Sequence, residues 1–150
     1  MTKGWFAIGI EHTKTETNVG TLWRTAFSMG AAYVFTVGRR YQRQASDTTE
    51  AWRHIPLFHF ANLLELREHQ PHDALLVGVE LVPSAAPISG YKHPERAVYL
   101  LGAEDHGLSG DAIMSCQQIV VLPGQFCHNV AGAGAMAMYD RHVKTERVNR

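Results

Sequence analysis

The 150-residue chain is 45% apolar and 19% charged, a balance typical of one folded domain with a single core. Fourteen Lys and Arg residues balance fourteen Asp and Glu, which argues against sequence-independent nucleic-acid binding but allows a local basic patch. The lack of a bilayer-length apolar run, a signal-peptide pattern and a disulfide framework predicts a cytoplasmic protein that does not enter membranes.

The first predicted elements are a strand, a helix and a second strand. Residues 6–10 form a short apolar run, and Asn18 is a residue type that caps helices, here one starting at Val19. Apolar residues at spacings of three and four give this helix a buried face until Gly30, and a β-branched and aromatic strand follows at residues 33–37. This order predicts a right-handed parallel crossover.

A basic loop follows the second strand, at residues 39–53. It combines arginines with aromatic residues, namely Arg39, Arg40, Arg43, Arg53, Tyr41 and Trp52. One interpretation is a solvated surface loop, in which Asp47 and Glu50 dilute the positive charge. The other is RNA contact, because arginine binds phosphate and aromatic rings stack on unpaired bases.

The rest of the chain alternates apolar runs with helical and polar segments. Further strands are predicted at residues 57–60, 74–81, 98–101 and 119–122. A short helix runs from residue 63 until Pro71, a polar loop spans 82–93, and the last helix spans about 130–146. We therefore predict one α/β domain over residues 1–150, with a mostly parallel sheet of five or six strands.

Two loops of small and polar residues, 102–107 and 124–129, each follow a predicted buried strand directly. Ligands bind outside the carboxyl ends of parallel strands in open α/β sheets, so these loops predict a pocket. The carboxylate of Glu104 and the amide of Asn129 would be its main polar groups.

Metal and thiol chemistry are less well supported by the sequence. The best-placed potential metal ligands are His106, Cys127 and His128, but the spacings typical of zinc sites are missing, and we expect no metal. A nucleophilic Cys127 is disfavoured because its neighbour His128 is adjacent in a loop, where consecutive side chains tend to point apart.

A dinucleotide-binding pattern, GxGxxA, occurs at residues 132–137. It lies inside the predicted last helix instead of after a strand, and no acidic residue follows about 20 positions later to bind a ribose. We therefore interpret these small residues as a surface for close helix packing, and a nucleotide-dependent oxidoreductase is a distant alternative.

Arg24 lies among apolar residues of the first predicted helix, an unusual position for a charge without a partner. Glu104 is the natural candidate for that partner. The pairing would bring the loop after the first strand next to the loop at 102–107.

Three segments, in this order, resemble the motifs of the SpoU (TrmH-type) family of RNA ribose 2′-O-methyltransferases, in the SPOUT superfamily. The first motif, NxGxxxRxA, is met by Asn18, Gly20, Arg24 and Ala26. The second, GxExxGLS, is met by Gly102, Glu104, Gly107, Leu108 and Ser109. The third is met by Pro123, Cys127, Asn129 and Val130, with cysteine in place of the usual serine and a shortened loop.

The resemblance implies helices on both faces of the sheet, a C-terminal trefoil knot, a homodimer, and S-adenosylmethionine as methyl donor. The donor would be held mostly by backbone groups around Val79, Gly102, Leu122 and Cys127. The catalytic residues implied are Asn18, Arg24, Glu104 and Asn129. The substrate would be an RNA, with tRNA as first candidate and rRNA as second. From their charge, Arg39, Arg40, Arg43 and, in the last helix, Arg141 are the candidates to contact it, with a solvated surface as the alternative.

Arg24 is expected to hold a phosphate or polarise the target hydroxyl, because a guanidinium has no lone pair with which to act as a base. Glu104 would orient Arg24, and Asn18 and Asn129 would fix the loop or the ribose. The alternative is an RNA-binding relative that has lost turnover, and Cys127 in place of serine is its main support.

Overall fold

The protein builds one parallel sheet, seen in a computed structural model that describes residues 4–42 and 50–148. The strands are β1 (Trp5–Glu11), β2 (Tyr33–Val37), β3 (Leu57–Phe60), β4 (Leu75–Val79), β5 (Ala86–Pro87), β6 (Arg96–Leu101) and β7 (Gln118–Val121). The helices are α1 (Glu16–Ser28), α2 (Leu63–His69), α3 (Gly110–Ser115) and α4 (Val130–Val148). Two short 3₁₀ turns, Ala51–Arg53 and Ile88–Gly90, complete the described elements.

The sheet has seven strands in the order β3-β2-β1-β6-β4-β7-β5, and every neighbouring pair is parallel. The parallel α/β architecture is thus confirmed, but the predicted count of five or six strands is wrong. The additional strand, β5, lies in the segment predicted as a loop and pairs through Ala86 with Val120 and through Pro87 with Val121. A strand of two residues shows no periodicity by which a sequence could reveal it.

Helices cover both faces of the sheet, as expected. Successive residues of β6 alternate between two cores, so that Tyr99 packs with α1 and α4 whereas Val98 and Leu100 pack on the side of α2 and α3. Within residues 4–42 and 50–148, no helix is both long and apolar enough to span a membrane.

Helix α1 begins at Glu16, three residues before the predicted start, with Thr15 at the N-cap position. Asn18 therefore lies in the first turn of the helix and is not its cap. The sequence-based assignment was wrong because the Asn18 side chain bonds to residues elsewhere in the chain, namely Glu104 and Asn129.

Helix α4 approaches the sheet closely through a small residue. A methyl group added to Gly134 would overlap the Leu22 side chain and lie 3.1 Å from Leu101 Cδ1. At Gly132 the nearest atom would be 3.9 Å away. The small residues at 132–137 thus sit inside α4, and Gly134 allows the helix to pack tightly.

A buried polar network lies at the amino edge of the sheet, under the second half of α4. The His93 ring bonds to the Tyr99 hydroxyl at 2.6 Å and to an Asp140 carboxylate oxygen at 2.8 Å. Arg141 donates to the Tyr99 hydroxyl and to the carbonyls of Pro94, Glu95 and Trp5.

These bonds correct the assignment of Arg141 to RNA contact. Arg141 is only 6% exposed, and its guanidinium donates hydrogen bonds to carbonyl oxygens of the protein itself. Sequence reasoning saw a basic residue on a helix with charged neighbours, and it could not see that position 141 faces the start of β1 and β6.

Candidate functional site

A cavity of ≈ 280 Å³ opens at the carboxyl ends of β4, β6 and β7. Three segments line it, at residues 79–81, 101–107 and 121–133. The four residues expected to hold a donor are all among the lining residues, which include Val79, Gly102, Leu122 and Cys127. Both loops that the sequence assigned to a pocket therefore meet at one cavity, and a third segment, following β4, joins them.

The loop at 102–107 folds back on itself, and glycine is required there. Ala103 and Gly107 exchange backbone hydrogen bonds of 2.9 and 3.2 Å. Gly107 has φ of +67°, a conformation that side chains other than glycine rarely adopt, and a Cβ there would overlap the Glu80 carboxylate. The glycine spacing of this segment thus follows from the shape of the loop.

Glu104 fastens this loop to the segment between β1 and α1. Its carboxylate accepts from the Thr13 hydroxyl at 3.0 Å, the Lys14 amide at 3.1 Å and the Asn18 side-chain amide at 2.8 Å. Partial burial works to raise the pKa of Glu104, but these hydrogen bonds outweigh it and the pKa lies below its ordinary value. Glu104 is therefore an anchored carboxylate.

A chain of hydrogen bonds joins three of the four predicted catalytic residues. The Asn129 amide nitrogen donates to Asn18 Oδ1 at 3.1 Å, and Asn18 in turn donates to Glu104. Asn129 Oδ1 also accepts from the Gly132 amide at 3.2 Å, in the first turn of α4. Three segments distant in sequence are thereby connected beside the cavity.

Arg24 does not join this chain. Its side chain is exposed, and among residues 4–42 and 50–148 it has neither a hydrogen bond nor an ion pair. The predicted pairing with Glu104 is wrong, because six residues separate Arg24 from Asn18 and place it about 120° around the helix and roughly 9 Å along it.

The basic loop is only partly described. Arg39 donates to the Lys14 carbonyl at 2.6 Å and forms an ion pair of 3.5 Å with Glu16, so it helps to hold the segment before α1. Arg40 is exposed. Arg43, also predicted to contact RNA, lies outside the described residues.

Sequence reasoning missed two residues of this region, Glu80 and Thr13. Glu80 lines the cavity. The sequence placed it inside a predicted strand over 74–81, whereas β4 ends at Val79. The rule that ligands bind at carboxyl ends of strands would have singled it out. Thr13 has no such signal, since its role depends on a contact 91 positions away.

Cys127 lines the cavity, whereas Cys116 does not. Both cysteines are free, and burial together with the Glu11 charge raises the pKa of Cys116 to about 11, which disfavours its thiolate. In the part of the chain that the structure describes, no three His, Cys, Asp or Glu side chains gather as a metal site.

A parallel α/β sheet, a cavity lined by the second and third motif loops, and the hydrogen bonds that join the first motif to those loops define the class of the protein. The model of the SpoU rRNA methylase family matches residues 6–139, most of the chain. The protein therefore belongs to the SpoU family of RNA methyltransferases, within the SPOUT superfamily.

Solved structures share the fold. The TrmH/SpoU tRNA modifying enzyme of A. aeolicus superposes with a TM-score of 0.85 at 17% identity, over 99% of this chain and 78% of that one. AviRb of Streptomyces viridochromogenes, solved with AdoMet, gives 0.84 at 17% identity, over 97% and 60%. A structure described as explaining 2-OH methylation of C/U34 on tRNA gives 0.83 at 17%, over 97% and 99%.

One curated relative is similar in sequence, the mouse tRNA (guanosine(18)-2'-O)-methyltransferase TARBP1. The identity is 26% over 133 residues, which is 83% of this chain. The chain spans only 8% of the length of that protein.

Proposed function

We propose that the protein transfers the methyl group of S-adenosylmethionine to a ribose 2′-hydroxyl of RNA, with tRNA as first candidate substrate and rRNA as second. The observation that carries the proposal is that the second and third motif loops line one cavity, while Asn18 of the first motif is hydrogen-bonded to both loops through Glu104 and Asn129. The mouse relative methylates a ribose 2′-oxygen of tRNA according to its name, which supports the same chemistry.

The cavity suits a sulfonium donor. Its lining combines apolar side chains with glycine backbone and with the carboxylates of Glu80, Glu104 and Asp105, and it holds no Lys or Arg among the described residues. When bound, the donor supplies a methyl group on a sulfonium, which is already a good leaving group. The protein must then align the ribose oxygen with the methyl carbon, which the anchored loops would do.

Arg24 is the residue we assign to the target nucleotide. Its unpaired guanidinium would hold a phosphate or polarise the 2′-hydroxyl, and solvent would receive the hydroxyl proton. Glu104 accepts from Asn18 and not from Arg24, so its assigned role is to fix the loop on which the cavity depends.

A homodimer would complete the site around Arg24. The layer that contains α1 and α4 presents apolar side chains to solvent, among them Phe27, Met136 and Tyr139. We take these side chains as the candidate association surface. A second subunit on this layer would lie next to Arg24, which occupies the exposed side of α1.

A trefoil knot formed by the C-terminal part of the chain is also proposed. Support comes from the path after β7, which returns across β4 and β6 so that α4 packs beside α1. The segment before β6 lies against α4, because the Lys144 ammonium donates to the carbonyls of Ile88 and Tyr91.

We also propose a cytoplasmic location for the protein, because two free thiols agree with a reducing compartment.

Methyl transfer to defined RNA tests the proposal. The purified protein is incubated with methyl-labelled donor and with total tRNA or rRNA, and the nucleosides are analysed by mass spectrometry. We expect a 2′-O-methylated nucleoside, found in tRNA first, and its loss in Arg24→Ala. Label in a base-methylated nucleoside would reject the ribose assignment, and RNA binding without any transfer would favour the inactive relative.

A further inference from the structure

The donor cavity carries an unbalanced negative charge. Three carboxylates line it and no Lys or Arg does, within residues 4–42 and 50–148. Asp105 is offset by an ion pair with Lys14. Glu104 and Glu80 accept only from neutral amide and hydroxyl groups of the described chain, so their charges are not cancelled.

Glu80 is fixed by hydrogen bonds in the lining of the cavity. It follows β4 directly, and its oxygens accept from the Leu81 amide at 2.8 Å and the Leu108 amide at 2.7 Å. The missing side chain of Gly107 leaves the space that the carboxylate fills. Glu80 is thus held in place before any ligand arrives, and its charge needs no rearrangement to act.

We infer that Glu80 makes the cavity distinguish the charged methyl donor from its neutral product. The inference rests on the proposed function. During transfer the bond from sulfur to the methyl carbon breaks, the bond from ribose oxygen to that carbon forms, and the hydroxyl proton leaves. The sulfur becomes an uncharged thioether, so S-adenosylhomocysteine loses the attraction that Glu80 gives the sulfonium.

The size of the effect follows from Coulomb attraction. A sulfonium bound about 6 Å from the Glu80 carboxylate, at an effective dielectric constant near 40, would bind roughly tenfold more tightly than an uncharged sulfur at the same place. That difference lowers the affinity for the product at the moment it forms. Glu80 is accordingly a specificity-determining residue that favours product release.

Calorimetric titration of the full chain with three ligands tests this role. The ligands are S-adenosylmethionine, S-adenosylhomocysteine and sinefungin, in which a carbon bearing an ammonium group replaces the methylated sulfur. For Glu80→Gln we expect about tenfold weaker binding of the two cationic ligands and less than a twofold change for S-adenosylhomocysteine. Glu80→Asp, which keeps the charge, should retain most of the preference.

Glu68→Gln is the matched control, because it removes one unit of charge from an exposed position of α2 away from the cavity. It should leave all three affinities unchanged. If Glu80→Gln does not fold, the wild-type preference for cationic ligands is measured between 50 and 500 mM salt and should shrink as salt rises.

The outcomes separate the two proposals. Equal weakening of all three ligands by Glu80→Gln, or a wild-type protein without preference for cations, refutes the role of Glu80 while the donor assignment stands. A wild-type protein that binds none of the three ligands refutes the proposed function itself.

Discussion

The amino edge of the sheet, where the parallel strands begin, and the carboxyl edge, where they end, contain similar polar groups. The hydrogen-bonding capacity of these groups is used differently at the two edges. At the amino edge, His93, Tyr99, Asp140 and Arg141 bond to one another and to backbone carbonyls inside the protein. At the carboxyl edge, a comparable chain ends in exposed loops around a cavity. Arg24, on the exposed side of α1, has no partner in the described chain. Saturated polar networks stabilise the fold, whereas groups with unused bonding capacity are free for ligands.

The largest expected effect comes from the amino edge. Arg141→Met should lower the free energy of unfolding by about 3–5 kcal/mol, because the buried Tyr99 hydroxyl and the Pro94 and Glu95 carbonyls would lose their charged donor. Urea unfolding measures it, and Arg24→Met is the control, with an expected change within about 0.5 kcal/mol. Equal losses for the two variants would contradict the distinction between the edges.

For Arg24 the effect should fall on catalysis. Arg24→Ala is expected to lower kcat/KM for RNA about 100-fold or more with unchanged stability, as for removal of a preorganised donor to a reacting group. Arg24→Lys should recover part of the rate with the same pH optimum. Full recovery with a shifted optimum in a pH–rate profile would show instead that Arg24 acts as a titrating base.

Between the edges, α4 offers a matched pair of glycines. Gly134→Ala should destabilise the protein by about 1–3 kcal/mol through overlap with Leu22, despite the better helix propensity of alanine. Gly132→Ala has open space and should be neutral or stabilising by up to about 1 kcal/mol. Thermal unfolding compares them, and similar values would mean that close packing of α4 is unimportant.

The smallest expected effect is a dependence of the free energy of unfolding on pH, which arises from one titrating residue at each edge of the sheet. Burial lowers the pKa of His93 below 6.5, even though Asp140 acts in the opposite direction. The unfolded chain therefore binds this proton more readily, and stability should decrease as pH falls through 6.5, by at most about 1.4 kcal/mol per pH unit.

A residue at the carboxyl edge adds a second pH dependence of stability, at lower pH. The folded pKa of Glu104 is lowered, so its contribution is present above the unfolded value near 4.5 and is lost as pH falls through the folded pKa. In urea titrations at several pH values, His93→Gln should reduce the change in stability as pH falls through 6.5. Glu104→Gln should reduce the change in stability below about pH 4.5. An unchanged slope in either variant would reject that residue as the source.

Sequence reasoning succeeded where the signal was local. Apolar and β-branched runs located six strands, and the small and polar residues after two of them located both loops of the cavity, because such patterns lie within a few residues. It failed at β5, which is too short to show a pattern. It also failed to locate the partner of Asn18, which lies 86 positions away.

The two arginines show how such errors arise. Arg24 was placed in apolar surroundings because Leu22 and Trp23 precede it, yet at 100° per residue it lies on the far side of α1 from the buried stripe. Arg141 was taken for a surface residue, although its hydrogen-bond acceptors lie 42 to 136 positions away in the sequence. Residues that are adjacent in sequence need not lie on the same face of a helix.

The bonds from Asn18 to Glu104 and to Asn129 span 86 and 111 positions. Such distant partners meet late, because closing long loops is entropically costly and slows folding. During synthesis on the ribosome, the reaction centre would thus stay unassembled until α4 has emerged, and a partly made chain would be unable to modify RNA.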